Sequence, residues 1–149
     1  MNNPLIIDNE TLLGEICILL SQGKRVKLRA KGNSMRPFIH GNKDILVLAP
    51  SDFLSMGDVV LARVDEKRYV VHRIIGMMGD SITLMGDGNL YETERCTQSD
   101  IFGSVKSIIR DGKERDINSP KNRLRAIVWR SLLPLRRLKL KLSKRIMRK

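Results

Sequence analysis

The chain has 149 residues, enough for one domain with a sizeable core, and only 4% of them are aromatic, so Val, Ile, Leu and Met must fill that core. The net charge of +12 lies entirely at one end: residues 1–120 hold 16 basic and 16 acidic residues, whereas residues 121–149 hold 12 basic residues and no acid. The positive charge therefore bears on the partners of the tail, and it excludes a domain that is basic throughout, because residues 1–120 carry no net charge.

Cysteine usage and hydropathy exclude several further classes. Cys17 and Cys96 have no neighbour at metal-ligand or redox-motif spacing, so we predict no metal site and no cofactor, and nothing demands a disulfide. No apolar run is long enough to span a bilayer, and the N-terminal run lacks the basic flank of a signal peptide. We therefore expect a cytoplasmic protein, peripheral to a membrane at most.

The first predicted element is a helix over residues 8–23, capped by Asp8 or Asn9. Its apolar residues recur at helical spacing, with Cys17 as a buried thiol among them, and Gly23 can end it. Residues 25–30 then alternate between charged and apolar side chains, which predicts a half-buried strand.

Short strands separated by turns follow. The pattern predicts strands at 45–50, 59–64, 69–76, 81–85 and 101–110, with the second and third forming a hairpin. We expect irregular structure between Asn89 and about Asp100, and a polar linker over 111–122. Turn signals every eight to twelve residues, without crossover helices, predict a mainly β fold with an antiparallel coiled or barrel-like sheet.

The remainder, from Arg123, has a helical pattern that Pro134 breaks or kinks. We predict two parts, a β domain over 1–120 and a basic amphipathic helical tail over 121–149. Residues 123–149 suit an anionic membrane surface, and the first part of the tail can instead pack on the domain. Nucleic acid is not an expected partner, because the tail lacks interleaved aromatic residues.

The most informative stretch, Lys31 to Ile39, reads as a strand end, a tight turn and a restart. Gly32 permits unusual backbone conformations and Pro37 restricts its own φ. A serine in such a turn, here Ser34, can present its hydroxyl in a cleft with its own N–H close by, as acyl transfer requires. The alternative is a loop with a capping serine.

A serine nucleophile needs a base, and the chain has two histidines. His40 lies in a polar turn and is interpreted as a solvated loop residue. His72 lies in a predicted strand, where it is either a base for Ser34 or a core or edge histidine. Asp87, in the turn Gly86-Asp87-Gly88-Asn89, is the candidate acid to orient the imidazole; its alternative is a turn aspartate that caps backbone N–H groups.

Four segments together resemble the successive motifs of the signal peptidase I family, whose fold and serine turn also occur in the self-cleaving LexA-type repressors. They are, in chain order, Gly32 to Pro37, Gly57 to Val60, Tyr69 to Gly76 and Gly86 to Asn89. The resemblance covers about residues 25–110. It implies an antiparallel β fold with coiled, barrel-like sheets.

The resemblance also implies roles. Ser34 falls on the nucleophile and His72 on the general base, which is histidine followed by arginine in the endoplasmic-reticulum and archaeal-type enzymes. Asp87 falls on the Gly-Asp motif, where that branch has an acid near the dyad. Met35 and Pro37 would shape the turn and one wall of the substrate cleft.

Three departures from the family pattern are expected to matter. Gly32 stands where many bacterial members have a serine that donates to the oxyanion. The family's N-terminal membrane anchor and the repressors' DNA-binding domain are not found, and no Ala-Gly pair precedes Ser34, so repressor-style self-cleavage is not expected.

We therefore expect a serine endopeptidase that cleaves an extended peptide or preprotein leader through an acyl-enzyme. The alternative is a non-catalytic peptide-binding or regulatory module on the same fold.

Overall fold

A computed structural model describes residues 9–148, with side chains from residue 12 onward. The elements are α1 (Asn9–Ser21), β1 (Val26–Arg29), β2 (Ile45–Ala49), β3 (Val59–Val64), β4 (Arg68–Met78), β5 (Ser81–Met85), β6 (Glu94–Thr97), a 3-10 turn (Gln98–Asp100), β7 (Ile101–Arg110), β8 (Lys113–Asp116), α2 (Pro120–Ser131) and α3 (Leu133–Met147). The predicted mainly β fold with an N-terminal helix and basic C-terminal helices is confirmed.

All strand pairs are antiparallel, and the order across the sheet is β1-β2-β7-β3-β4-β5-β6, with β8 paired to β7. The predicted hairpin of residues 59–64 and 69–76 is confirmed, since β3 pairs with β4 along its full length. Irregular register in the pairs β2–β7, β3–β7 and β4–β5 adds local twist, and the sheet curls into a half-barrel.

Two predictions of irregular structure are wrong. The segment after Asn89 contains β6, which has only four residues, and the predicted linker contains β8. All four residues of β8 are exposed, so no hydrophobic alternation marks it. Its one sequence signal is the turn before it, where Asp111 (φ 52°) and Gly112 (φ 77°) both have positive φ, as a tight β-hairpin turn requires.

The curled sheet has an apolar cluster on each face. On β3, Val59 and Leu61 join the cluster under α1, whereas Val60, Ala62 and Val64 join the second cluster, between β3, β4, β5 and β6. Helix α1 contributes Ile16, Cys17 and Leu20, the last only 1% exposed. Burial of each large aliphatic side chain stabilises the fold by about 1.5–3 kcal/mol.

Helix α1 bears out the predicted N-terminal helix. Gly23, with φ 82°, follows its last turn. The predicted cap at Asp8 or Asn9 lies outside the side chains that the structure describes. Cys17 is buried as predicted, and both cysteines are free thiols.

The tail forms two helices. Ser119 caps α2 by accepting a hydrogen bond from the Asn122 amide at 3.3 Å, and Pro120 occupies its first turn. Pro134 lies in the first turn of α3, where its missing N–H costs nothing, so it marks the start of a second helix. Between residues 9 and 148, no helix is both long and apolar enough to cross a membrane.

Candidate active site

The serine turn, residues 31–39, is a series of turns, and its apolar residues anchor it to the core. Gly32 enters it with φ 73°, and the Phe38 and Ile39 amides both donate to the Met35 carbonyl, at 3.1 and 2.9 Å. Met35 and Ile39 are 5% and 3% exposed and belong to the cluster under α1. Ser34, which precedes Met35, is therefore held at the rim of the core.

A buried ion pair fixes the far end of this turn. The carboxylate of Asp44, which is fully buried, accepts hydrogen bonds from the Arg110 guanidinium at 2.7 and 2.8 Å and from the His40 amide at 2.7 Å. Arg110 also donates to the Phe38 carbonyl at 3.2 Å. Burial by itself would raise the pKa of Asp44, but the bonds from Arg110 and His40 outweigh it and lower that pKa below its ordinary value.

The Gly86–Asn89 turn packs directly on the serine turn. The Gly88 amide donates to the Ser34 carbonyl at 2.8 Å. A Cβ on Gly86 would lie 2.5 Å from the Ser34 carbonyl oxygen and 3.1 Å from Nε2 of His72; one on Gly88 would lie 3.0 Å from the Asn33 carbonyl. Glycine is required at position 86 because the two backbones approach this closely, and a side chain at position 88 would require the Asn33 carbonyl to shift by a few tenths of an ångström.

The central arrangement is a chain of three side chains. The Ser34 hydroxyl lies 3.1 Å from Nε2 of His72, and Nδ1 of His72 lies 2.9 Å from Oε2 of Glu94. His72 and Glu94 are 5% and 9% exposed, whereas Ser34 is half-buried. With Nδ1–H donating to the Glu94 carboxylate, Nε2 has its lone pair directed at the serine hydroxyl.

The prediction that Asp87 contacts and orients His72 is wrong. The Asp87 carboxylate is bound instead by Arg73, whose Nε and Nη2 donate to its two oxygens at 2.8 and 2.7 Å. Successive side chains on a strand point to opposite faces, so Arg73 and His72 reach different partners. Arg73 also donates to the Gly57 carbonyl at 2.8 Å and stacks on the Phe38 ring. The Arg73–Asp87 ion pair therefore links the Gly86–Asn89 turn to the serine turn.

Glu94, which takes the position expected of Asp87, was missed because it lies on the unpredicted strand β6. In the register of the sheet, Glu94 stands opposite Leu84, Leu84 stands opposite Ile74, and His72 is two residues from Ile74. A glutamate is long enough to reach His72 diagonally. The local signal is weak: buried Glu94 and Cys96 alternate with the more exposed Arg95 and Thr97.

A cavity of about 620 Å³ opens beside Ser34 and His72. Its apolar wall comes from α1, the serine turn and strands β1 to β4, and includes Leu12, Leu13, Leu28, Met35, Ile39, Leu46, Leu61, Tyr69, Val70 and Val71. Met35 lines this space. Pro37 is exposed and does not line it; it follows a cis peptide bond from Arg36 in the outer part of the turn.

Two strand edges border the same cavity. Strand β1 is the end of the sheet, and among the described residues it pairs with β2 alone. Strand β4 pairs with β5 from Arg73 onward, so its Arg68–His72 half is bonded to β3 on one side and, within residues 9–148, to no strand on the other. Residues 28–32 and 67–72 line the cavity from its two sides. An extended peptide fits such open edges.

The tail helices contact the Gly86–Asn89 turn on its outer side. Nε1 of Trp129 donates to the Asp87 carbonyl at 2.6 Å, and Arg136 donates to the same oxygen at 3.2 Å. Arg123 of α2 pairs with Asp58 at 2.7 Å. The turn that touches Ser34 is thus held between the serine turn and the tail.

The second histidine, His40, contacts the backbone of the serine turn. Nε2 of His40 lies 3.2 Å from the Pro37 carbonyl. Residues 9–148 contain no group of three or more His, Cys, Asp and Glu side chains arranged to hold a metal ion.

Comparison with known proteins agrees with this architecture. A family model described as Peptidase S24-like matches residues 6–108, a range that contains Ser34, His72 and Glu94. No curated protein matches the sequence. The chain belongs to the Peptidase S24-like family, which supports a fold of the serine peptidase type.

Proposed function

We propose that this member of the Peptidase S24-like family is a serine endopeptidase that uses Ser34 as nucleophile and His72 as general base, with Glu94 orienting the histidine. The observation that carries the proposal is the continuous hydrogen-bonded chain Ser34–His72–Glu94, with its two distances of 3.1 and 2.9 Å. This is the order of groups that activates a serine in acyl transfer.

In the first step, Nε2 of His72 accepts the hydroxyl proton while Oγ of Ser34 bonds to a peptide carbonyl carbon. Glu94 stabilises the imidazolium that forms. The amides of Ser34 and Met35 donate no hydrogen bond to another residue in the described part of the chain, so both can donate to the developing oxyanion. They would take the place of the serine donor that Gly32 does not supply.

The second half of the reaction returns the enzyme to its starting state. His72 gives its proton to the leaving amine as the C–N bond breaks, which leaves an ester on Ser34. A water molecule then loses a proton to His72 and attacks the ester carbonyl. The acyl bond breaks, the proton returns to Oγ, and the peptide acid is released.

The substrate class follows from the cavity. The edges of β1 and of Arg68–His72 favour an extended peptide or the leader segment of a preprotein. The apolar wall beside Ser34, to which Leu28, Met35 and Leu46 contribute, favours an apolar side chain near the cleaved bond.

A non-catalytic peptide-binding module is the second candidate. The open strand edges favour it, because they can bind a peptide whether or not Ser34 reacts. The two candidates differ in one property, the nucleophilicity of the Ser34 hydroxyl.

The test is covalent labelling with a fluorophosphonate probe, with the modified residue mapped by mass spectrometry. We expect one label, on Ser34, that is lost in Ser34→Ala and falls to background in His72→Ala. Matched controls are Ser81→Ala, at an exposed strand end, and His40→Gln, and both should label like the wild type. Absence of label on folded wild-type protein, or equal labelling of His72→Ala, would refute the dyad and leave the binding module.

A further inference from the structure

Helix α3 has two distinct faces. Leu133, the adjacent pair Arg136 and Arg137, and Leu140 share one side of the helix, and all four are half-buried. Arg137 donates to the Leu90 carbonyl at 2.8 Å and stacks on Tyr91, and Arg136 stacks on Trp129 at 4.2 Å. The helix is therefore docked by one side, and its other side faces away from the body.

The outward side carries a row of apolar residues. Leu135, Leu138, Leu142 and Ile146 are 62%, 51%, 49% and 75% exposed and recur at intervals of three or four, so they share one face. Helix α2 adds Leu124, Ile127 and Val128, all at least half exposed. We define these seven residues as the tail row. Exposed apolar surface of this extent on ordered helices marks an interaction site.

Positive charge borders the tail row. Lys139, Lys141, Lys144, Arg145 and Arg148 all lie on or just after α3, and residues 121–149 contain no acid. Within residues 12–148, none of these five cations lies within ion-pair distance of a carboxylate. The face thus combines apolar side chains with positive charge that the body does not neutralise.

We propose that the tail row and its basic border bind the surface of an anionic lipid bilayer, with α2 and α3 lying in the interface. An anionic bilayer satisfies both features at once, since its acyl region takes the leucines and its headgroups take the lysines and arginines. A second copy of the chain would bring like charges together, and a nucleic acid would leave the apolar row exposed to water. The proposal does not rest on peptidase activity.

Membrane docking of this face would leave the contacts of the opposite face intact. Trp129 and Arg136 hold the Asp87 carbonyl, and the Gly88 amide next to it holds the Ser34 carbonyl. The helices are therefore already in place before binding, and the Ser34 turn would be kept at a fixed position relative to the lipid surface.

The experiment is co-sedimentation of the full chain with vesicles of phosphatidylcholine alone or mixed with phosphatidylglycerol. Two variants separate the two components of the surface. Leu138→Gln/Leu142→Gln removes apolar area without a change of charge, and Lys139→Gln/Lys141→Gln, at the two lysines that flank these leucines, removes charge without a loss of leucine. The matched control, Lys27→Gln/Lys113→Gln, removes the same charge from exposed strand residues of the body.

We expect binding to the anionic vesicles only. The leucine variant should bind about tenfold more weakly or worse, because two half-exposed leucines no longer leave water. The tail-lysine variant should also bind about tenfold more weakly, whereas the body control should bind within about twofold of the wild type. The emission of Trp129, the only tryptophan, should match the wild type in every variant if the docked side is intact.

Three results would overturn the proposal. The first is no binding to anionic vesicles, and the second is full binding by the leucine variant, which would reduce the effect to charge alone. The third is a wild-type dimer in the absence of lipid that the leucine variant abolishes, which would assign the tail row to a second copy of the chain.

Discussion

Replacement of Glu94 by glutamine tests the proposed site most directly. Glutamine keeps the volume of the side chain, and its carbonyl oxygen can still accept the Nδ1–H of His72. The change therefore removes the negative charge and little else. Its neighbour Arg68, at 3.8 Å from the other carboxylate oxygen, is more than half exposed and can turn to solvent.

The magnitude follows from the geometry of the pair. Charge centres about 4 Å apart interact by about 4 kcal/mol at an effective dielectric constant of about 20. Because both side chains are 7% exposed, solvent screens this interaction only weakly. Loss of about 3–4 kcal/mol in the stabilisation of the imidazolium would slow acylation by about two to three orders of magnitude.

The assay is the second-order rate constant for fluorophosphonate labelling of Ser34, corrected for the folded fraction measured by circular dichroism. The comparison variant is Asp87→Asn, which removes the partner of buried Arg73 and should cost about 3–5 kcal/mol of stability. Its folded fraction should label far faster than Glu94→Gln. A drop of less than about threefold for Glu94→Gln, or an equal drop for Asp87→Asn, would refute the orienting role of Glu94.

Four further predictions concern the framework of the site. Gly86→Ala should lower stability by about 1–3 kcal/mol in urea unfolding and slow labelling of Ser34, because its Cβ would lie 2.5 Å from the Ser34 carbonyl oxygen. The control is Gly76→Ala, since neither glycine has positive φ and a Cβ on Gly76 would make only an ordinary contact with Thr83 at 3.4 Å; an equal loss there would contradict the steric argument. Asp44→Asn should lower the free energy of unfolding by about 3–5 kcal/mol at neutral pH. Because the pKa of Asp44 is lowered in the folded protein, this stabilisation is complete above the ordinary pKa of 3.8 and is lost as pH falls through the folded pKa. A difference from wild type that persists unchanged in stronger acid would argue against the ion pair. Trp129→Phe should remove about 0.5–1.5 kcal/mol, the contribution of one hydrogen bond to the Asp87 carbonyl, and an unchanged urea midpoint would show that the tail does not support that turn. Because burial raises the pKa of Cys17 and Cys96 to about 11, iodoacetamide should leave both unmodified in native protein at pH 8 and alkylate both in denaturant, and rapid modification of the native protein would contradict their burial.

The sequence alone was sufficient for most of the sheet. Strands β3, β4 and β5 carry period-2 or continuous apolar patterns between strong turn signals, and they form close to the predicted bounds. Strand β6 and the exposed β8 were missed because each has four residues and gains its order from the neighbouring strand. A short strand of that kind has little intrinsic preference of its own.

By itself, the sequence determined which local features could matter: a serine in a Gly–Pro turn, a histidine within a strand, a Gly-Asp-Gly turn and a basic amphipathic tail. Only the tertiary structure decided which side chains meet. The choice between Asp87 and Glu94 as the partner of His72 depends on strand parity and on the register of two successive strand pairs, because a shift of one residue moves a side chain to the opposite face. Neither parity nor register between distant segments is a local property, so no motif in the chain could have revealed it.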